Sequence, residues 1–547
     1  MLNTPPKPST LKARAVTPWE SELPSFYRVH PCGSQNVTDA LRDEISCWEP
    51  RNPIFISAPT GRGKSHFFKT VLLLDALARN RTMLIIGNRI ALSMQQKMEI
   101  LELLDSPLRS YLTDEGLRNT ECFGSVAVIT YHRLPAFLNN PENAAFLDRL
   151  LYVCADEVHL LTTDSQFNQK TDYYLKLLTT RFQSAIRVYL TATPSDVLYP
   201  LAQAEGENWG RKEVFVTDYL PSRCFQLYRF DASYAHVKLD FVQCLDDLKG
   251  RIEKITGEKW LVFCDNKESG RAFADSLNVP HQYLDADSKG SAEWAALLKN
   301  QRFDCCVLVC TQAIDTGISI HDPKLKHVGV VTDDHTTFLQ MIGRKRCAPG
   351  ESYTAHVVEL SGKKLGIRAQ RAKALLDLLE EYETCDAAAR SSMAARFWDT
   401  EDSQARKYFH LIGGKLYPND LAFHKLRRQY RFYEQLQNNE ITFADAVRSW
   451  LGKEPERSGK KSLENLQLFC QTHVDSALED DAFHILRDLV IQAASASGFY
   501  EDHPERLPEM GPEGVNHRLS YLKLPYNVKK NRKKLWLLAS PESPEEP

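Results

Sequence analysis

Between residues 53 and 358 of this 547-residue chain, short apolar runs alternate with helix-compatible stretches. The runs that predict strands of a first domain are Pro53–Ala58, Met83–Ile86, Val126–Ile129, Leu150–Ala155, Val188–Leu190 and Val214–Val216. The pattern restarts at Lys259, with runs at Trp260–Cys264, Cys305–Cys310, Val328–Val331 and Ala355–Val358. Strands that alternate with helices predict parallel sheets with helices on both faces. The predicted fold class is therefore α/β, with two tandem domains of this kind.

Beyond Gly362 the strand patterns fade, and helical spacing appears in Arg368–Tyr382, Asp420–Leu436 and Asp481–Ala494. We therefore expect a mostly helical C-terminal region, divided near the charged, Gly- and Pro-containing stretch Lys453–Lys461. The predicted organisation is a flexible lead (1–25), a first α/β domain (26–225), a second (226–361), a helical accessory domain (362–460), a C-terminal domain (461–540) and a disordered tail (541–547).

The charge, the apolar runs and the cysteines of the chain restrict the kinds of binding partner and cellular environment that we expect. The net charge is −3, so a nucleic-acid site must be a local basic patch rather than a general positive field. No apolar run approaches the length of about 20 residues that a membrane span needs, so no membrane partner is expected. The 13 cysteines are scattered without a C-x-x-C pair, which indicates free thiols in a reduced, cytoplasmic protein.

The segment Ser57–Ser65 (SAPTGRGKS) has the A-x-x-x-x-G-K-S spacing of a phosphate-binding loop. It follows an apolar run and precedes the helix-compatible stretch Phe67–Leu77, which is the context that such a loop requires. Lys64 would reach the β- and γ-phosphates of ATP, and the Ser65 hydroxyl would bind Mg²⁺. The residues predicted to bind the nucleotide are Thr60, Gly61, Arg62, Gly63, Lys64 and Ser65.

A second motif, Asp156-Glu157-Val158-His159, ends the apolar strand Leu150–Ala155. There Asp156 would hold Mg²⁺, and Glu157 would orient or deprotonate the attacking water. An isolated acidic pair is usually a solvated surface feature. The two motifs together, in this order, predict ATP and Mg²⁺ as cofactors.

The second predicted domain contains the basic sequence Gly343-Arg344-Lys345-Arg346. Cations from a neighbouring domain can neutralise charge on a transferring phosphoryl group, so Arg344 and Arg346 are candidate catalytic residues. The alternative is a solvated basic turn.

Seven stretches occur in order: APTGRGKS (58–65), GNRIAL (87–92), TYHRL (130–134), DEVH (156–159), TAT (191–193), TQAIDTGI (311–318) and QMIGRKR (340–346). This set resembles the motifs of superfamily 2 helicases and translocases, whose motor is a pair of RecA-like domains with ATP in the cleft between them. The sequence DEVH is similar to the DExH type rather than to the DEAD-box type. The last of the seven, the sixth motif of the family, resembles that of helicases in herpesvirus origin-binding proteins and in plasmid or phage replication proteins.

This resemblance implies roles for further residues. Gln340 and Arg344 would sense the γ-phosphate from the second domain. Thr191 and Thr193 would couple the nucleotide site to nucleic acid, or else simply cap a strand end. Gln35 lies where many relatives place an adenine-contacting glutamine, although a surface glutamine is the alternative. The residues implied to contact the sugar-phosphate backbone of one strand are Asn88, Arg89, Thr130 and Thr311.

Two positions depart from the family pattern. The last arginine of the sixth motif falls at Arg346, one residue before its usual position, which is Cys347 here. The fifth motif usually has an acidic residue two positions after its glycine, and here that position is Ser319. These departures bear on the role of Arg346 more than on that of Arg344.

Two stretches rich in basic residues lie C-terminal to the seven motif stretches. Lys529–Lys534 (KKNRKK) follows the helix-compatible Val515–Leu524, which resembles a small winged-helix DNA-binding unit; a solvated basic turn is the alternative. Residues 427–433 interleave arginines with aromatic residues. That pattern is typical of stacking on a single strand, and equally of an amphipathic helix.

The predicted function is an ATP-dependent helicase or translocase that moves along a nucleic-acid strand as its two domains close and open. DNA is favoured over RNA, and the sixth motif suggests mobile-element replication. One alternative is a translocating subunit that does not separate strands and works with protein partners in a defence or remodelling complex. Another is a scaffold that binds ATP and DNA with negligible turnover, against which Glu157 and Arg344 argue.

Overall fold

The computed structural model describes residues 27–87, 90–106, 113–166, 168, 170–208, 224–288, 290–312, 318–399, 405–412, 414–453, 458–496, 511–531 and 534–539. The chain divides into two compact units, Met1–Leu451 and Gly452–Pro547. The predicted lead (1–25), the predicted strand Val214–Val216 and the predicted tail (541–547) lie outside the described residues. Within the described part, no helix has the length and apolar character needed to cross a membrane.

An eight-stranded sheet forms the centre of the first domain, with strand order β1-β8-β2-β7-β6-β3-β5-β4. Its strands are β1 (Tyr27–Gly33), β2 (Ile54–Ser57), β3 (Thr82–Gly87), β4 (Cys122–Phe123), β5 (Val126–Thr130), β6 (Leu150–Ala155), β7 (Ile186–Thr191) and β8 (Phe225–Phe230). All neighbours are parallel except β4 and β5. Every residue of β2, β3 and β7 is buried, as expected for parallel strands covered on both faces.

Helices cover both faces of this sheet. They are α1 (Val37–Leu41), α2 (Lys64–Phe67), α3 (Leu73–Ala78), α4 (Ile90–Leu103), α5 (Asp114–Asn119), α6 (Leu134–Asn139), α7 (Ala144–Asp148), α8 (Leu160–Thr163), α9 (Thr171–Arg181) and α10 (Leu198–Glu207). A π-helical turn, Phe68–Leu72, joins α2 to α3. Ile54 and Ile56 belong to one hydrophobic cluster and Phe55 to another. Because successive side chains of a strand point to opposite faces, each face has its own core.

The second domain is built on a six-stranded parallel sheet with strand order β11-β12-β10-β13-β14-β9. Its strands are β9 (Val237–Val242), β10 (Lys259–Phe263), β11 (His281–Leu284), β12 (Val307–Cys310), β13 (Leu325–Val330) and β14 (Tyr353–Val358). Its helices are α11 (Leu245–Lys254), α12 (Lys267–Ser276), α13 (Ala292–Asn300) and α14 (His335–Ile342). The predicted α/β class with two tandem RecA-like domains is confirmed.

The predicted boundary between the two domains, at 225/226, is wrong. β8 begins at Phe225 and pairs with both β1 and β2 in the first sheet. β9 begins at Val237 and pairs with β14 in the second sheet. The boundary therefore lies between these two strands. Polar residues interrupt β8 (FQLYRF), so its sequence does not show the continuous apolar run of a central parallel strand.

The accessory region is mostly helical, as predicted. Its elements are α15 (Gly362–Thr384), α16 (Ala387–Asp399), α17 (Ala405–Tyr408), β15 (Phe409–Ile412), β16 (Lys415–Pro418), α18 (Asp420–Gln437) and α19 (Phe443–Trp450). β15 and β16 form an antiparallel pair that the fading strand pattern did not predict. The predicted end of this region at residue 460 is also wrong, because the first compact unit ends at Leu451.

The C-terminal unit contains α20 (Ser458–His473), β17 (Ser476–Leu478), α21 (Asp480–Ala496), α22 (Pro512–Tyr521), β18 (Tyr526–Asn531) and β19 (Lys534–Ala539). Its three strands form an antiparallel sheet in the order β17-β19-β18. Leu466, Leu486, Val515 and Leu537 are fully buried and lie in one shared cluster, so the three helices and the sheet enclose a core of their own.

Candidate active site

The phosphate-binding loop joins β2 to α2. Gly61 and Gly63 have φ angles of 83° and 80°, a left-handed conformation that glycine adopts readily. The buried Lys64 Nζ donates hydrogen bonds to the carbonyl oxygens of Ala58 (2.7 Å) and Pro59 (3.3 Å). The loop is therefore curled around the lysine ammonium group, at the carboxyl end of a central strand.

The remaining predicted residues of the loop, Thr60, Arg62 and Ser65, are half-buried. Arg62 Nη1 donates to the carbonyl oxygen of Ser34, and Val37 N donates to Arg62 O at 3.0 Å. The segment between β1 and α1 is thus attached to the phosphate-binding loop. Gln35 lies in this segment and is exposed, and its contact with adenine stays a prediction.

Asp156 and Glu157 directly follow β6. Asp156 is 2% exposed, and its Oδ2 accepts a 2.8 Å hydrogen bond from Gln96 Nε2 on α4. Burial and the neighbouring Glu157 carboxylate raise the pKa of Asp156 to about 7. Glu157 has a φ angle of 49°. Left-handed backbone at a non-glycine residue stores strain of the kind found at functional sites.

The Glu157 side chain is held as a carboxylate. Burial alone would raise its pKa, but His159, Lys64 and Arg344 outweigh burial and lower the pKa to about 2. Arg344 belongs to the second domain, so its charge reaches a side chain of the first. A group with so low a pKa is a weak base, which favours orienting a water over removing its proton.

A chain of polar groups, buried except for the half-buried Glu157, connects the two domains. His159 Nδ1 lies 3.2 Å from Glu157 Oε2 and 2.9 Å from Thr191 Oγ1. Thr191 Oγ1 accepts a hydrogen bond from Thr193 N (3.0 Å), and Thr193 Oγ1 accepts one from Gln340 Nε2 (3.4 Å). We call this series the interdomain polar chain. The sequence drew attention to four of its members but not to His159, the last residue of the DEVH motif.

In the basic motif of the second domain, Arg344 and Lys345 are buried and Arg346 is half-buried. Arg344 is 5% exposed. It donates to Gln340 O (2.9 Å), Gln340 Oε1 (2.8 Å) and Ile318 O (3.3 Å). Arg346 Nε donates to Ser319 Oγ at 3.0 Å. The two departures from the family pattern are therefore paired, because the shifted arginine contacts the serine that stands in place of the usual acid.

The basic motif faces the phosphate-binding loop. A Cβ atom at Gly343 would lie 3.5 Å from Thr60 Oγ1, and one at Gly61 would lie 3.9 Å from Arg346 Nη1. Segments of the two domains are thus within van der Waals range of each other. They form opposite walls of one site.

Charged side chains of both domains also affect the pKa of Lys64. Burial lowers the pKa of Lys64, and the carboxylates of Glu157 and Asp156 oppose that effect. Arg344 and Arg346 of the second domain lower the pKa further. The ammonium group therefore feels charges from both domains.

The donor set suits a triphosphate with Mg²⁺. Ser65 supplies a hydroxyl in the first turn of α2 and Asp156 supplies a carboxylate, and Mg²⁺ is usually held by one or two such oxygens together with substrate phosphates. Glu157 Oε2 is buried and, within the described residues, makes no hydrogen bond of good geometry, although His159 Nδ1 is 3.2 Å away. This oxygen is available to accept a hydrogen bond from a water.

The residues predicted to contact nucleic acid are placed only in part. Asn88 and Arg89 lie outside the described residues. Thr130 ends β5, and Thr311 directly follows β12 and is 8% exposed. Both threonines thus lie at the carboxyl ends of parallel strands, the edge at which ligands bind in open α/β sheets. Their contact with nucleic acid stays a prediction.

Two family models match the chain. The model described as "Type III restriction enzyme, res subunit" matches residues 31–196, and "Helicase conserved C-terminal domain" matches residues 241–347. The two matches fall on the first and the second domain. They support a superfamily 2 helicase, and the chain is accordingly an ATP-hydrolysing enzyme of the helicase class.

Several solved structures are similar. Mss116p bound to ssRNA and AMP-PNP is 12% identical, with 91% of this chain and 97% of that chain covered and a TM-score of 0.43. S. cerevisiae Dbp5 bound to RNA and ADP BeF3 is 13% identical, with 59% and 83% covered and a TM-score of 0.40. The DUF1998 helicase MrfA bound to DNA and AMPPNP is 12% identical, with 70% and 59% covered and a TM-score of 0.40. No curated protein matches the chain.

Proposed function

We propose that the chain is a DExH-type motor that binds ATP with Mg²⁺ between its two domains and moves along a strand of nucleic acid. The interdomain polar chain carries this proposal. It begins at Glu157, beside the site of hydrolysis, and ends at Gln340 in the other domain. A change at the γ-phosphate therefore alters a contact that holds the domains together, which converts hydrolysis into domain movement.

Each side chain of the site then has a role that its contacts allow. Lys64 and the loop backbone bind phosphate oxygens, and Ser65 and Asp156 hold Mg²⁺. Glu157 orients the attacking water. The remaining roles belong to the second domain.

Arg344 and Gln340 sense the γ-phosphate from that domain. The Arg344 guanidinium neutralises charge that develops on the transferring phosphoryl group. Arg346 approaches the phosphate-binding loop at Gly61 and adds positive charge at the edge of the site.

In this proposal the nucleic-acid strand lies across the sheets of both domains. Asn88, Arg89, Thr130 and Thr311 contact its sugar-phosphate backbone, which positions the strand without reading its sequence. DNA is the preferred substrate, and replication of a mobile element is the setting that the sixth motif suggests. All 13 cysteines are free, which suits a reduced cytoplasm.

For the C-terminal unit we propose DNA binding. The succession of a helix, a strand, two helices and a hairpin around a small antiparallel sheet resembles a winged-helix unit. Asn516 on α22 accepts from Val528 N (2.6 Å) and donates to Val528 O (2.9 Å), which fixes this helix against β18. The basic residues Lys529, Lys530 and Lys534 are exposed on the same hairpin.

Neutralising this hairpin, with Lys529, Lys530 and Lys534 changed to Gln, is expected to weaken DNA binding. Three lost phosphate contacts reduce the slope of log K against log salt by about 3. Fluorescence anisotropy of labelled DNA, recorded at salt concentrations from about 50 to about 200 mM, measures this slope. The matched control changes Lys363, Lys364 and Lys373, which are also exposed, and keeps the slope. An unchanged slope for the hairpin variant contradicts the assignment.

The motor proposal is tested with ATPase and forked-DNA assays on the full chain. We expect hydrolysis that single-stranded DNA stimulates more than RNA, with ATP-dependent strand displacement. Lys64→Ala is expected to lower hydrolysis by about 100-fold or more, because the phosphates lose their main cation. Its circular dichroism spectrum is expected to stay unchanged.

The alternatives predict other results in the same assays. Stimulated hydrolysis without strand displacement identifies a non-unwinding translocase that works within a larger complex. Tight binding of ATP and DNA with negligible turnover identifies a scaffold. Stronger stimulation by RNA than by DNA overturns the choice of substrate.

A further inference from the structure

Helix α18 of the accessory region is anchored in the first domain. Asn419 immediately precedes the helix and is fully buried, and its Nδ2 donates to Ser165 O at 3.1 Å. Leu421, in the first turn, is 2% exposed and belongs to the same hydrophobic cluster as strands of the first sheet. The start of α18 is therefore part of the first domain's core.

The same helix is tied to the second domain further along. Lys425 Nζ lies 3.2 Å from Asp334 Oδ2, and Tyr433 OH donates to Asp333 Oδ2 at 2.8 Å. The side chains of Lys425 and Asp334 are only 5% and 14% exposed. A buried charge that loses its partner is costly, so this ion pair strongly favours the observed placement.

Asp334 also stabilises the N-terminus of α14, the helix that carries Gln340. It is the N-cap of α14, where its Oδ1 accepts from Thr337 N (2.8 Å) and Thr337 Oγ1 (2.6 Å). Burial would raise the pKa of Asp334, but Lys425 and these hydrogen bonds lower it to about 2. One carboxylate thus caps α14 with one oxygen and binds Lys425 with the other.

The first domain holds the same helical turn from another side. Asp196, three residues after Thr193, accepts a 2.6 Å hydrogen bond from Thr336 Oγ1 through its Oδ2. Its Oδ1 lies 3.6 Å from Arg428 Nε on α18. The first turn of α14 therefore meets the first domain and the accessory helix together.

We propose that Lys425 and Arg428 are positioning residues for ATP hydrolysis. By fixing the first turn of α14 against Asp196, they set where Gln340 and Arg344 stand relative to the phosphate-binding loop. This inference rests on the proposed function, because it requires that Gln340 and Arg344 act on the γ-phosphate. Within the basic-aromatic stretch 427–433, Arg428 contacts Asp196 of the first domain and Tyr433 contacts Asp333 of the second.

The first test compares Lys425→Met with Lys425→Arg. We expect Lys425→Met to lower kcat by about 10-fold to 100-fold, since misplacing a catalytic group by about 1 Å has such an effect. The affinity for a fluorescent ADP analogue is expected to stay within about threefold, because the phosphate-binding loop belongs to the first domain. Lys425→Arg keeps the charge and is expected to recover most of the lost rate.

The second test is a double-mutant cycle with Asp334→Asn, which keeps an N-cap residue but removes the charge. If the pair acts as a unit, the double variant loses no more activity than Lys425→Met alone. Losses that multiply would show two independent effects and overturn the proposal. The control is Lys373→Met, which breaks an exposed ion pair with Asp377 in the same accessory region and leaves kcat unchanged.

Failure of this inference is distinguishable from failure of the proposed function. If the unaltered chain hydrolyses ATP and Lys64→Ala does not, the motor stands, and an unchanged kcat in Lys425→Met rejects the positioning role alone. A drop in kcat accompanied by an equal loss of ADP affinity and a lower melting temperature also rejects it, since that result indicates general unfolding. If the unaltered chain hydrolyses no ATP, both fail.

Discussion

Glu157→Gln is expected to lower the rate of ATP hydrolysis by about 100-fold or more while ATP still binds. The amide has nearly the same shape as the carboxylate, but it cannot accept a proton from the water. It also lacks the negative charge with which the carboxylate orients that water. Single-turnover hydrolysis measures the chemical step, and equilibrium binding of a fluorescent nucleotide measures retention of the site. Glu142→Gln, at an exposed position in the short 3-10 helix Pro141–Asn143 of the same domain, is the matched control.

The low pKa of Glu157 sharpens this test. Because the side chain is ionised well below neutral pH, the rate of the unaltered chain should not fall through loss of the Glu157 charge between about pH 6 and 8. A full rate for Glu157→Gln would remove this residue from the mechanism. In that case the interdomain polar chain would begin at His159.

Arg344→Ala is expected to lower kcat by about 1000-fold, the lower end of the effects measured for arginines that neutralise a transferring phosphoryl group. The KM for ATP is expected to change far less, because the phosphate-binding loop remains intact. Steady-state ATPase measurements separate the two constants. Arg344→Lys is expected to be almost as inactive, since an ammonium group cannot reproduce the three hydrogen bonds to Gln340 and Ile318.

The control for this prediction is Arg271→Ala, because the Arg271 side chain is 65% exposed in the same domain. Arg344 is buried, so the melting temperature of each variant has to be measured as well. A large drop in melting temperature with a normal kcat for the folded fraction would show that Arg344 braces the domain and takes no part in the reaction.

The spacing of residues within short segments predicted the phosphate-binding loop and the position of Glu157 at the end of a strand. The phosphate-binding loop needs its glycines and lysine at fixed distances within one turn, and Glu157 needs only the end of a buried strand. The alternation of apolar runs likewise predicted both sheets, because parallel strands covered on both faces consist of apolar residues. These features depend on neighbours in the sequence, so the sequence displays them.

The contacts between domains could not be predicted in this way. Thr336 and Asp196 are 140 positions apart, and nothing near either residue marks the other as its partner. His159 and Gln96 were missed for the same reason, since their roles come from tertiary contacts with Thr191 and Asp156. The predicted boundary placed all of β8 but its first residue in the second domain, because the polar residues of this strand hide its central position in the first sheet.

The interdomain polar chain begins at the Glu157 carboxylate, whose side chain is 24% exposed, and continues through imidazole, hydroxyl and amide groups that are buried. Dissolved ions screen exposed charges strongly but act weakly on such a buried path. Binding to a phosphate backbone, in contrast, weakens steeply as ions are added. For a chain that moves along nucleic acid as proposed, rising ionic strength should therefore shorten the distance travelled before dissociation and leave the time for one cycle of ATP hydrolysis almost the same.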